Sequence, residues 1–171
     1  MDDFYSLNLL AIALELAQSK PIYEDIASKF FEYFVTIADT FYYIGGRDIS
    51  LWDDEDGFFY DVLHLPDDQY VSMRIRSFVG LIPLFRFCRK LLEPDQLKNL
   101  PNFRRRMEWL LRYRPNLAAH VVPYDEKGTF DHCQLGVASK DNLVCILSRL
   151  FDHDEPLSDY GVRSLSRVHA K

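Results

Sequence analysis

The residues best equipped for chemistry lie in one run, Trp52-Asp53-Asp54-Glu55-Asp56-Gly57-Phe58-Phe59-Tyr60-Asp61. It joins clustered carboxylates, a glycine that lets the backbone turn sharply, and a row of aromatic rings. A calcium loop would need a ladder of oxygen ligands ending in Glu at the twelfth position between two helices, and the spacing fails that test. A solvated acidic turn needs nothing more than the charges. A carbohydrate site needs carboxylates to grip paired hydroxyls and rings to stack on the C–H face of a pyranose, and this stretch supplies both. Arg74 and Arg76 follow at i, i+2, which puts them on one side of a strand, able to pair with the acidic loop across a hairpin or to face a ligand.

Other chemistries find little support. No GxSxG nucleophile motif and no Gly-rich phosphate loop occurs. Cys133 has only His132 beside it, and His120, His132, His153 and His169 are scattered, so neither a zinc site nor any other metal or cofactor is expected. The three cysteines, Cys88, Cys133 and Cys145, are odd in number and form no CxxC pair, which fits reduced thiols in a cytoplasmic setting. A net charge of −6 argues against a nucleic-acid partner. The basic run Arg104-Arg105-Arg106, with Arg112 and Arg114, reads as a solvated helix face. The acidic start, Met1-Asp2-Asp3, is unlike a signal peptide, and no apolar run reaches membrane-spanning length.

The elements that must position the acidic run are mostly helical. Phe4, Leu7, Leu10, Ala11, Leu14 and Ala17 predict a helix over 3–19. Ile22, Ile26, Phe30, Phe34, Ile37, Phe41 and Ile44 predict a second over 22–44, ended by Gly45-Gly46. This αα-hairpin needs a further layer to pack against. Residues 47–76 read as a long β-hairpin loop with a turn at Pro66-Asp67-Asp68. Helices are expected over 77–92 with Ser77 as cap, over 101–113, and over 140–151 with Ser139 as cap and Leu143, Ile146, Leu147 and Leu150 as its apolar face. Residues 115–136 read as irregular. The tail from Asp152 reads as loop, but Asp159-Tyr160-Gly161-Val162-Arg163-Ser164-Leu165-Ser166-Arg167 is too particular in character for a floppy end.

The Leu51–Asp61 run, Arg76-Ser77-Phe78-Val79-Gly80-Leu81-Ile82-Pro83-Leu84-Phe85, Phe103–Trp109 and Leu157–Arg167, in that order, resemble glycoside hydrolase family 63-like enzymes, the group of mannosyl-oligosaccharide glucosidases and mannosylglycerate-hydrolase-like proteins. The resemblance implies an all-α fold, a partial (α/α)6 toroid of helix hairpins forming a single domain over 1–171, with an inserted β-hairpin loop. It implies inverting hydrolysis of α-linked glucosyl or mannosyl saccharides by two carboxylates. The segments expected to carry the acid and base are not matched here, so no catalytic residue is carried over and the chain is expected to be inactive alone. Trp52, Asp53, Asp56, Tyr60 and Asp61 match the loop that looks toward the sugar, and Arg163 and Ser164 match the pocket rim. The partners implied are a carbohydrate and either the remainder of the barrel or a second copy. The alternative is a non-catalytic interaction or structural protein derived from that fold.

Overall fold

In the computed structural model, which describes residues 2–44, 47, 49–86, 88–92, 97–118, 133–135 and 137–170, the first two helices are α1 (Asp2–Ala17) and α2 (Tyr23–Thr40). Gly45 and Gly46, His120 and His132, and most of the stretch expected to be irregular lie outside the described residues. The chain forms two compact units, each assembled from two separated segments: Met1–Thr40 with Arg86–Val137, and Phe41–Phe85 with Ala138–Lys171.

The first unit is built on the α1–α2 hairpin. Its turn is closed by Lys20 N–H donating to the Leu16 carbonyl at 3.0 Å and by Glu24 N–H donating to Pro21 at 3.0 Å. α1 is apolar on both sides. Leu7, Leu10, Ala13, Leu14 and Ala17 are buried, whereas Tyr5, Leu9, Ile12 and Leu16 form a second stripe that stays exposed. α2 buries Ala27, Phe31, Phe34, Val35 and Ala38, so its inner face shares Phe34 with the expected stripe but not Ile26, which is exposed, as is Ile22 just before the helix. Two apolar stripes compete on this helix, and spacing alone does not rank them.

Helix α3 (Pro101–Tyr113) packs on α2 through Phe103, whose ring meets Phe31 edge-on at 6.0 Å. Leu100, at its N-cap, supplies no side-chain cap. Glu24 of α2 does so instead. Its buried carboxylate accepts from the backbone N–H groups of Asn102 (2.8 Å) and Phe103 (2.9 Å), satisfying donors that a helix start leaves free. A short α4 (Pro115–Ala118) follows. Strands β5 (Cys88–Leu92) and β6 (Cys133–Leu135) pair antiparallel in this unit.

The second unit carries three more two-stranded antiparallel sheets: β1 (Trp52–Asp53) with β2 (Phe58–Phe59), β3 (Asp61–His64) with β4 (Tyr70–Met73), and β7 (Leu157–Ser158) with β8 (Gly161–Val162). Phe59 anchors its core, with Trp52, Phe41 and Tyr42 around it at ring separations of 4.9, 5.8 and 6.1 Å. A 3₁₀ segment spans Phe78–Arg86, and Ser77 does cap its start, accepting from Val79 N–H. Gly80 sits so close to Phe58 and to the Phe59 carbonyl that an added Cβ would lie 2.2 Å and 2.4 Å from their atoms. That close approach explains a glycine inside an otherwise apolar run. Helix α5 (Lys140–Leu150) is capped as expected, Ser139 Oγ accepting from Asn142 N–H at 3.1 Å. The tail is tied down: Ser77 and Leu165 form an isolated antiparallel bridge, Phe78 N–H donates to Ser164, and Ser166 N–H donates to Arg76.

These elements overturn the all-α toroid expected from the resemblance. Among the described residues the fold is mixed α/β, with four small sheets where one inserted hairpin was expected. The helix expected over 77–92 is a 3₁₀ segment holding Pro83, followed by strand β5. A proline denies the helix a backbone donor and crowds the preceding turn, which favours the tighter, shorter coil. Among the described residues no helix is long and apolar enough to cross a membrane.

Candidate functional site

The acidic run folds as a tight loop between β1 and β2. Asp53 closes it twice: its Oδ1 accepts from Asp56 N–H at 2.9 Å, and its carbonyl accepts from Gly57 N–H at 2.8 Å. Gly57 adopts a φ of 58°, the left-handed conformation that glycine takes without a Cβ clash. Trp52 Nε1 donates to Asp54 at 2.8 Å. The loop is therefore held by its own side chains.

Behind it lies a knot of charge centred on Arg76. Its guanidinium donates to Asp56 Oδ1 at 2.6 Å, to Glu155 Oε1 at 2.6 Å and to the Tyr60 hydroxyl at 3.1 Å. Tyr60 in turn donates to Asp56 Oδ2 at 2.8 Å. Glu155, whose side chain is only 8% exposed, also accepts from Arg149 at 3.3 Å and from the Ser166 hydroxyl. Arg149 completes the ring by donating to the Asp56 carbonyl. Four chain segments thus meet on one set of satisfied polar groups.

The electrostatics follow from this wiring. The Tyr60 hydrogen bond, aided by Arg76 and Arg149, holds the Asp56 carboxyl below its ordinary range against the opposing effect of burial. Desolvation works against the Arg76 cation, but Tyr60, Asp56 and Glu155 outweigh it and keep the group firmly charged. Burial pushes the Tyr60 phenol up, with Asp56 adding to the rise and Arg76 opposing it. Tyr42, which accepts a hydrogen bond from Asn142 at 3.2 Å, is raised to about 12, chiefly by burial.

The sequence-derived candidates divide into two groups. Asp56 and Tyr60 belong to the knot, and Tyr60 is fully buried, so its ring is not offered for stacking. Asp53 is bonded to the loop and pairs with Arg74 at 2.9 Å; Glu55 lies 3.6 Å from the same arginine. The pairing of Arg74 and Arg76 with the acidic loop is thus the outcome. Arg163 is half-buried and donates to the backbone carbonyls of Leu157 and Glu155, and Ser164 serves through its carbonyl. Trp52 is half-buried against Phe59. Asp61 is exposed on β3, and its carboxylate has no partner among the described residues. Arg149, Glu155 and Ser166 were missed. Arg149 lies 93 residues from Asp56 and Glu155 lies 79 from Arg76, and nothing local signals pairs that distant.

In front of the knot is a cleft of about 430 Å³, lined by Asp54, Glu55, Asp56, Gly57, Cys145, Ser148, Arg149 and Asp152. Its wall is mostly polar. The Asp54, Glu55 and Asp152 residues are exposed, and the Ser148 hydroxyl donates to the Cys145 carbonyl. Such a surface can exchange hydrogen bonds with a polyhydroxylated ligand. Among the described residues no group of three or more His, Cys, Asp or Glu side chains is placed to hold a metal ion.

Among curated proteins the chain is similar to the uncharacterized protein YMR196W of Saccharomyces cerevisiae, with 41% identity over 180 aligned residues. The match covers 98% of this chain and 16% of the yeast protein, so the chain spans a small part of that relative's length. No family model and no solved structure matches the chain.

Proposed function

We propose that this chain is a segment of a larger glycoside hydrolase acting on α-linked glucosyl or mannosyl saccharides, in which the Trp52–Asp61 loop presents carboxylates to the sugar. The observation that carries the reading is the polar cleft beside that loop, where Asp54, Glu55, Asp152 and Ser148 converge. Neighbouring sugar hydroxyls suit a carboxylate, which accepts two hydrogen bonds in fork geometry. Asp54 and Glu55 are the first candidates for that role, with Asp152 also lining the cleft. Arg149 lines the cleft with its donors committed to the Asp56 carbonyl and Glu155. The ordered resemblance of four sequence runs supports the assignment, and the 16% share of the yeast relative agrees with a segment of a longer protein. No residue here is assigned as acid or base, so binding is the expected readout.

A second reading, a non-catalytic structural or interaction protein, is favoured by one observation: Asp53, Asp56, Tyr60 and Arg163 are engaged in holding the fold. Titration of the chain with methyl α-glucoside, methyl α-mannoside and their disaccharides, followed by calorimetry and by product analysis, separates the two. The glycosidase reading expects weak saturable binding that is lost in Asp54→Asn/Glu55→Gln. Saccharide binding that is absent, or indifferent to that double substitution, favours the structural reading.

A further inference from the structure

On α3 the buried residues Phe103, Met107 and Leu110 face inward, and the opposite face is unusual. Arg105, Trp109, Arg112 and Tyr113 recur at i, i+4, i+7 and i+8, which places them within an arc of about 100° on a helix of 3.6 residues per turn. Trp109 is 55% exposed and Tyr113 61% exposed, and their rings lean together at 5.5 Å and 33°. Arg112 lies over the Tyr113 ring at 5.9 Å. The neighbouring arginines are occupied: Arg104 pairs with Glu108 at 2.7 Å and Arg106 with Asp25 at 2.8 Å. Arg105 and Arg112 have no carboxylate partner among the described residues. The face thus sets an exposed aromatic pair between two guanidinium groups that have no carboxylate partner among the described residues. Exposed Trp, Tyr and Arg together are the composition of interface hot spots.

We propose that this face of α3 is a docking surface for an acidic segment of another protein. Arg105 and Arg112 are seven residues apart, about 10 Å along the axis. A partner helix with carboxylates at i and i+7 matches that separation, and an apolar side chain at i+3 or i+4 would rest on the Trp109–Tyr113 rings. Guanidinium groups suit carboxylates through two parallel hydrogen bonds, which fixes register as well as sign. Two arginines on a chain of net charge −6 make a poor polyanion groove, since nucleic-acid affinity grows with the number of phosphates neutralised. The acidic peptide is therefore the favoured partner.

The test uses the full chain and a fluorescein-labelled helical peptide with Glu at i and i+7 and Leu at i+3 and i+4, read by anisotropy. The proposal expects saturable binding that weakens on the order of tenfold in Arg105→Glu/Arg112→Glu, as for loss of close interface charge pairs. The neutral variant Arg105→Gln/Arg112→Gln should weaken it less and guards against misfolding by charge reversal. Trp109→Ala should weaken binding without changing its salt dependence. The proposal is overturned by equal binding of wild type and both double variants, by no binding of the Glu peptide, or by equal binding of a Lys-for-Glu peptide. Arginine-dependent binding of an RNA oligonucleotide or an anionic vesicle in place of the peptide would also overturn it, assigning the face to that class.

Discussion

Replacing Arg76 by Met tests the charge knot most sharply. The guanidinium makes three hydrogen bonds, two of them to carboxylates at 2.6 Å, and its side chain is 21% exposed. Methionine keeps much of the stem's volume but strands Asp56 and Glu155. Removing one member of a buried ion pair costs about 3–5 kcal/mol because the other charge stays behind. Two features reduce that figure. Arg149 remains on Glu155, and Asp56 is itself 23% exposed and can recruit water. A loss of about 2–3 kcal/mol is expected on these grounds. Trp52 lies in the second unit, so its fluorescence in a Trp109→Phe background reports that unit's urea unfolding. With slopes of about 1–3 kcal/mol/M, the midpoint should fall by roughly 1 M or more. Arg76→Lys should fall in between, since a point charge cannot span three partners. A shift of Arg76→Met below about 0.5 kcal/mol, the range of ordinary surface changes, would mean that the charge knot does not hold this unit together.

Glu24→Ala leaves the start of α3 uncapped and should cost about 1.5–3 kcal/mol, the worth of hydrogen bonds to a charged group, read by thermal unfolding; Glu24→Gln should recover part of it. The Asp56 carboxyl is held below its ordinary value of 3.8, so the folded state prefers it ionised. Its stabilising contribution is complete at neutral pH and is lost as pH falls below about 4, a limb that Asp56→Asn should remove from a pH series of unfolding midpoints. Tyr42 behaves in the opposite sense: its folded value near 12 lies above the ordinary 10, so stability should decline as pH rises past 10, and less so in Tyr42→Phe. The exposed stripe Tyr5, Leu9, Ile12 and Leu16 should drive self-association, seen as a concentration-dependent mass in light scattering that Leu9→Glu/Ile12→Glu abolishes.

What the sequence revealed depended on how locally each feature is encoded. Helices α1, α2, α3 and α5 were legible because a 3.6-residue rhythm and caps such as Ser139 are written within a few positions. The pairing of Arg74 and Arg76 with the acidic loop was legible because a hairpin joins them. The run after Ser77 was not: Phe78–Phe85 is nearly all apolar, so periodicity cannot separate a helix from the 3₁₀ segment that Pro83 imposes. The inner face of α2 was misjudged in part because Phe30 and Phe31 belong to two overlapping stripes that share Phe34. The candidate site was half legible. The acidic loop was found, but Arg149, Glu155 and Ser166 arrive from segments far along the chain. Several residues whose types suit a sugar are spent on one another, which composition cannot foretell.

Saccharide binding in the cleft beside the acidic loop, as proposed, is open to direct observation. Backbone amide chemical shifts of the isotope-labelled chain, followed during titration with an α-linked glucosyl or mannosyl disaccharide, test it most directly. Saccharide binding there gives saturable shifts at Asp54, Glu55, Ser148 and Asp152, absent in Asp54→Asn/Glu55→Gln. Shifts confined to other surfaces, or none at saturating sugar, would contradict it.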